Sequence, residues 1–263
     1  MKVSPIGWTD YSGGALNFVT GCTPVSAGCA HCYARAIYRR FGRDHSVVAT
    51  HPDKLTRLAG MEFPTHSPKR GPGHRPMAFV CDTGDLFHEA VPDVFIGEAI
   101  EMMAKRKDVV WQVLTKRPER MQHFLDTWEE AYTYYPEMMM EEYGLEFPFP
   151  HIWLGVTAED QATADERIPL LLDTPAAVRF VSVEPMLGPV SLASHHSGID
   201  WVICGAESGP DRRPFDVAWA ADLYRECREA GVAYFGKQAS GLRPGTPLLI
   251  DGEVRQGWPA ARG

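Results

Sequence analysis

Short, nearly continuous apolar runs alternate with longer amphipathic patterns along most of the chain. The strand candidates are Leu16–Thr20, Met77–Asp82, Val109–Thr115, His151–Thr157, Val178–Glu184, Trp201–Ala206 and Ala233–Lys237. Runs of this kind suit parallel strands covered on both faces. Helical spacing fills the intervals at about 33–41, 92–106, 118–130, 161–173 and 216–230. Pro92 and Pro118 suit first-turn positions, Asp216 an N-cap and Gly231 a C-cap.

Such alternation builds βαβ units and hence a parallel sheet or barrel. For 263 residues the expectation is an α/β fold. It is a single-domain partial (β/α) barrel of about six or seven parallel strands, spanning 1–263. Two stretches break the rhythm. Residues 42–76, rich in Pro, Gly, His and Arg, form a basic excursion after the first helix, and residues 131–150 form an acidic, aromatic, Met-rich insertion. Insertions of that length in a compact fold are commonly functional, although the methionines also suit ordinary packing.

Apolar residues make up 44% and charged residues 23% of the chain, a balance that excludes disorder or coiled coil for its bulk. No apolar run reaches the roughly 18 residues of a membrane helix, and Met1-Lys2-Val3-Ser4-Pro5 shows no signal-peptide core. A cytoplasmic protein with no membrane partner is therefore expected. The net charge of −8 excludes a protein that coats nucleic acid over its whole surface. Residues 31–76 nevertheless hold nine Lys/Arg against three Asp/Glu, while residues 126–150 hold seven acids and no base. A basic segment in an acidic chain points to a local anionic partner, and a solvated basic face explains the charge equally well.

In barrels and open α/β sheets, chemistry collects at the carboxyl ends of the strands. The seven predicted ends carry Gly21-Cys22, Asp82-Thr83-Gly84-Asp85, Thr115-Lys116-Arg117, Thr157-Ala158-Glu159, Ser182-Val183-Glu184-Pro185, Glu207-Ser208-Gly209 and Lys237-Gln238. Capping accounts for Asp, Ser and Thr. It does not account for a Lys-Arg pair, three glutamates and a cysteine cluster together, so a site is predicted at this face. For each residue singly, a cap or an internal ion pair is the competing reading.

Six cysteines in a cytosolic type of chain do not suggest a disulfide framework. Cys22, Cys29 and Cys32 cluster as Cys-x6-Cys-x2-Cys, on a loop containing Pro24 and Gly28 that leads into a helix pattern at Tyr33. A helix N-terminus favours thiolate charge. Spacing alone leaves two readings level. One is an iron–sulfur cluster with one iron left open; the other is structural zinc, with His31 or a distant residue as fourth ligand. Unligated thiols and a single catalytic nucleophile explain the cluster less well. Cys81, Cys204 and Cys227 read as small buried apolar residues, and His88 as a surface residue.

A first strand, three cysteines ending in Cys-x2-Cys and a following partial βα barrel resemble the radical S-adenosylmethionine superfamily. More closely, the chain is similar to a phage-protein family described as radical-SAM-like with a three-Cys motif. The matching segments are Gly7-Trp8-Thr9-Asp10, Val19-Thr20-Gly21-Cys22-Thr23, Val25-Ser26-Ala27-Gly28-Cys29 and Cys32-Tyr33-Ala34. Further matches are Gly84-Asp85-Leu86-Phe87-His88, Leu114-Thr115-Lys116-Arg117-Pro118-Glu119-Arg120-Met121 and Trp153-Leu154-Gly155-Val156. Ser182-Val183-Glu184-Pro185, Glu207-Ser208-Gly209 and Lys237-Gln238 complete them. The common superfamily motif has three residues in the first gap, whereas this chain, like the phage family, has six.

The resemblance implies that Cys22, Cys29 and Cys32 hold a [4Fe-4S] cluster whose open iron binds S-adenosyl-L-methionine. One-electron reduction by a donor such as flavodoxin or ferredoxin then yields a 5′-deoxyadenosyl radical that abstracts hydrogen from substrate. The cofactor supplies this chemistry and the protein supplies orientation. It further implies cofactor binding by Asp82 and Asp85 at the amino group, by Thr157 and Glu159 or by Ser182 and Glu184 at the ribose, and by Glu207. Lys116 and Arg117 suit a carboxylate or phosphate, Lys237 and Gln238 face substrate, and Lys116, Arg117 and Lys237 are the catalytic candidates. A nucleotide or a base in nucleic acid is the favoured substrate class. The rival function is a non-enzymatic zinc-binding module for nucleic acid or protein. An electron carrier is disfavoured, because carriers fill all four cluster sites with protein ligands.

Overall fold

A computed structural model describes residues 2–134, 144 and 146–260. Its centre is one sheet of six parallel strands curled into a half-barrel. The strands follow chain order: β3 (Met77–Phe79), β4 (Val110–Thr115), β5 (Ile152–Thr157), β6 (Val178–Val183), β7 (Trp201–Gly205) and β8 (Ala233–Gln238). They match six of the seven predicted runs to within a few residues. The expected partial barrel is thus the observed architecture, with six parallel strands.

Period-two alternation sorts the side chains into two layers. Met77, Val110, Trp153, Phe180, Trp201 and Phe235 pack together with Trp8 on the concave side. Their neighbours Ala78, Trp111, Leu154, Val181, Val202 and Tyr234 join the larger core beneath the helices. The concave layer is a plug of rings, with Trp8 and Phe79 centroids 4.8 Å apart and Trp201 edge-on to Trp153 at 6.0 Å. Gly155 is required here, because a Cβ would lie 2.5 Å from the Phe180 ring. With the lower half of the curl filled by rings, the inward series continues upward into polar residues at the strand ends.

Four long helices cover the outer face: α3 (Asp93–Lys105), α4 (Pro118–Tyr134), α5 (Gln161–Asp173) and α6 (Val217–Ala230). Asp216 caps α6 by accepting the Ala218 N–H, and Gly231 ends it at φ 70°. Asp160 and Thr163 form a capping box on α5. Among the described residues no helix is long and apolar enough to cross a membrane.

Two expectations need correction. The run Leu16–Thr20 is not a strand of the parallel sheet. Leu16 ends a 3-10 turn, and only β1 (Val19–Thr20) is extended, paired antiparallel with β2 (Ala49–Thr50). Gly13 and Gly14, both at positive φ, turn the chain before a longer strand forms, so this segment meets the end of β3 through single contacts such as the Cys81 N–H to the Leu16 carbonyl and the Gly21–Gly84 bridge. The predicted helices also lack one that lies within the basic excursion at 42–76. It contains α2 (Pro52–Ala59), which buries only Leu55 and Leu58, too few positions for the helical period to stand out. Half of the insertion expected at 131–150, residues 135–143 and 145, lies outside the described residues.

Candidate functional site

The carboxyl ends of β3 to β8 and the cysteine loop enclose a cavity of about 280 Å³, near the lower end of the roughly 300–1,000 Å³ usual for small-molecule sites. Cys22, Cys29 and Cys32 all line it, opposite Thr157, Ser182, Glu184 and Lys237. The three thiols are free and half-buried. Cys32 is the residue before α1 (Tyr33–Arg40), as the sequence pattern predicts. Among the described residues, no three His, Cys, Asp or Glu side chains are gathered tightly enough to enclose a single metal ion.

The six-residue gap between Cys22 and Cys29 is held at Thr23, Ser26 and Ala27. The Arg117 guanidinium donates to the Thr23 carbonyl at 3.1 Å and hydroxyl at 3.0 Å, and also reaches the Cys22 Sγ at 3.5 Å. The Ser26 hydroxyl donates to Glu159 at 2.5 Å. Arg213 donates to the Ala27 carbonyl at 2.9 Å and is clamped to Glu207, which also meets His31 Nδ1 at 3.0 Å. The long gap is therefore a fixed strap laid over the ends of β4, β5 and β7.

Electrostatics differ among the thiols. Burial, reinforced by Asp85, pushes the Cys22 thiol up to about 11 against the pull of Arg117. Burial also raises Cys29, but nearby Lys116 and hydrogen bonding with the Val25 and Ser26 backbone outweigh it, leaving its pKa below that of an ordinary thiol.

The predicted strand-end residues divide into two groups. Asp82, Glu184 and Lys237 present charge to the cavity. Asp82 is half-buried, anchored by the Asn17 amide at 2.6 Å, and burial raises its carboxyl above the usual range. Lys237 meets Glu184 at 3.0 Å, and the Ser182 hydroxyl donates to the same carboxylate at 3.3 Å. This pair spans the end of β7 over Gly205, where a Cβ would come within 2.7 Å of Glu184. Thr157 pairs in register with Ser182 beside it.

The second group serves the scaffold. Asp85 is buried and accepts from Thr115, Phe87 N–H, Lys116 N–H and Arg117, so no lone pair is left to capture an amino group. Arg117 is buried between Asp85 and Glu89. Glu159 does not line the cavity at all. It is 1% exposed, bridging Lys116 and Arg167. Burial raises its carboxyl, and Lys116 first, then Ser26 and Arg167, bring it below the usual range. Glu207 borders the cavity but is occupied by Arg213 and His31, whose hydrogen bonds outweigh burial and lower it to about 2. Arg117, Glu159, Asp85 and Glu207 thus spend their charge within the scaffold, and of the four only Glu159 lies away from the cavity lining. Lys116 serves both groups, bound to Glu159 yet bordering the cavity near Cys29.

Arg167 and Arg213, missed in the sequence, stand out only as charges on a helix and in a loop. His88 is not a surface residue. It is buried, accepts the Ala90 N–H at Nδ1 and meets Thr23 Oγ1 at 2.8 Å through Nε2. Cys81, Cys204 and Cys227 are buried as expected, and burial raises Cys204 to about 12.

No curated protein and no solved structure matches the chain. A family described as "Protein of unknown function (DUF5131)" matches residues 3–248, nearly the whole chain including every residue of the cavity, and the protein belongs to that family.

Proposed function

We propose that this protein is a radical S-adenosylmethionine enzyme, with a [4Fe-4S] cluster on Cys22, Cys29 and Cys32. The observation that carries the reading is that three thiols of one strapped loop border a single cavity at the carboxyl ends of a parallel half-barrel. The donor set fits the group. Three soft thiolates are what an iron–sulfur cluster with one open iron takes. A multi-iron cluster also spreads its thiolates over different irons, which suits thiols distributed along a cavity wall better than one ion does. The resemblance of the Cys-x2-Cys end of the loop to that superfamily, and of the whole Cys-x6-Cys-x2-Cys loop and strand-end segments to the radical-SAM-like phage family, supports the same reading.

Bound there, cluster and cofactor supply one-electron cleavage of the sulfonium and a hydrogen-abstracting radical. The chain's own residues bind and orient. Asp82 offers a carboxylate to the cofactor's ammonium. Ser182 and Thr157 offer hydroxyls to the ribose. Arg117 and Lys116 place positive charge beside Cys22 and Cys29, favouring the thiolates needed as ligands. Lys237 and Glu184 present a paired donor and acceptor to substrate, and the aromatic plug below closes the cavity against water. A flavodoxin- or ferredoxin-type donor supplies the electron. The reading places the protein in the cytoplasm, where thiols stay reduced.

The test is anaerobic purification with iron and sulfide analysis, then low-temperature EPR with and without S-adenosylmethionine. About four irons with sulfide per chain and a spectrum altered by the cofactor are expected. Zinc without sulfide would replace the reading by a zinc-binding interaction module.

A further inference from the structure

The fold sorts the basic excursion into spent and unspent charge. Lys54 donates to the Asn17 carbonyl, Arg57 pairs with Asp53, and Lys69 anchors the carbonyls of Ser4 and Ile6. Arg70 and Arg75 likewise end on the backbone carbonyls of Arg75 and Lys107. Arg35, Arg39, Arg40 and Arg43 are different: all four are exposed, and among the described residues none pairs with a carboxylate. Asp44, the acid adjacent to Arg43, is turned to the N–H and hydroxyl of Ser46.

These four lie on α1 and the turn beyond it, Arg35 and Arg39 on one face because they are four apart. Rings share the surface. Tyr33 is 51% exposed at the cavity mouth and Phe41 is 69% exposed at the far end, while Ala34 is the buried residue of the helix. Four unspent arginines beside two exposed rings, on a body of opposite net charge, are complementary to a polyanion with stackable faces.

We propose that a single-stranded nucleic acid runs along α1, its phosphates on Arg35, Arg39, Arg40 and Arg43 and one base directed past Tyr33 to the cavity mouth. A single strand is favoured over a duplex because a cavity of this size admits a base only when it is out of its stack. The destination of the base rests on the proposed function of the cavity; the binding to α1 does not.

The experiment is fluorescence anisotropy of labelled oligodeoxythymidylate and oligouridylate across a salt series, with the wild type and R39A/R40A/R43A. The wild type is expected to give a log–log salt slope of about −3 on its preferred strand, and the variant a slope shallower by about 2. An unchanged melting temperature shows that the variant is folded. A preference between the two oligomers identifies the strand as DNA or RNA. An unchanged slope overturns the proposal, as does equal binding of a duplex of the same length. Absence of binding at low salt overturns it too and leaves the face to an acidic protein. A strand carrying one 5-iodouracil is expected to photo-cross-link to Tyr33, and cross-links confined to sites away from the cavity mouth overturn the path of the base. Iron analysis of the same preparation separates the two ideas, since zinc there removes the radical chemistry while leaving strand binding to be judged on its own slope.

Discussion

Gly28 lies so close to Glu159 that a Cβ on it would come within 2.3 Å of the carboxylate Oε1. This contact joins the cysteine strap to the end of β5, and neither partner can yield easily. Glu159 is fixed by Lys116, Arg167 and Ser26, and Gly28 sits one residue before Cys29. Gly28→Ala is therefore expected to lift the strap. Overpacking of this kind costs about 1–3 kcal/mol. The check is a denaturant midpoint together with iron content after reconstitution, both of which should fall, whereas Ser191→Ala, away from the strap, should leave iron content unchanged.

Arg167 and Glu159 form a buried pair, with side chains 3% and 1% exposed. Removing one member of such a pair costs about 3–5 kcal/mol, because the other is left buried with less compensation. Lys116 remains beside Glu159, so Arg167→Met is expected near the lower end of that range. Equilibrium unfolding in urea measures it. A loss below about 1 kcal/mol, the size of a surface pair, would show that the pair does not secure the strap.

Gly155→Ala tests the aromatic plug. The added methyl meets the Phe180 ring in a layer that also holds Trp8, Trp153 and Trp201. The expected cost is again about 1–3 kcal/mol, read as a lowered thermal midpoint with a change in tryptophan emission. An unperturbed midpoint would mean that the plug is looser than its ring contacts indicate.

Acid sensitivity follows from His151. Burial, outweighing the help of hydrogen bonds to the Met103 and Ala104 carbonyls, holds its imidazole below the ordinary 6.5. Above that value the ring is neutral folded and unfolded, and it contributes no pH dependence. As pH falls through 6.5 the unfolded chain takes up a proton that the folded chain resists, so stability declines. Unfolding free energies between pH 7 and 5 are expected to decline less steeply for His151→Gln than for the wild type. The variant's curve is expected to be flatter but not flat, because burial lowers His45 and His88 as well.

On the proposed function, Asp82→Asn is expected to separate cofactor binding from cluster assembly. Asp82 touches none of the thiols by hydrogen bond and is anchored from Asn17, so iron content should be retained. Loss of a charge-assisted hydrogen bond to an ammonium, worth roughly 1.5–3 kcal/mol, should weaken S-adenosylmethionine binding by about ten- to a hundredfold in calorimetry. Undiminished affinity would move the ammonium site elsewhere.

The sequence by itself determined the order of elements and the face that holds the cavity. Apolar period is a local property, so six strands and four outer helices were legible to within a few residues, as were the N-cap at Asp216 and the C-cap at Gly231. Polar residues directly after apolar runs marked the cavity, and the spacing of Cys22, Cys29 and Cys32 marked its thiol-bearing wall. Only the tertiary structure decided which of those polar residues are spent. Asp82 and Asp85 look alike in sequence and both border the cavity, yet Asp85 is saturated by four donors while Asp82 is anchored from Asn17. Ser26 and Glu159 bond across 133 positions, a pairing no local pattern encodes. The same holds for the first predicted strand, whose apolar run was real but whose sheet position was lost to turns at Gly13 and Gly14. Charge in a sequence shows only that a partner is needed. Which charges find one inside the protein, and which are left for a ligand, depends on distances that exist only after the chain has folded.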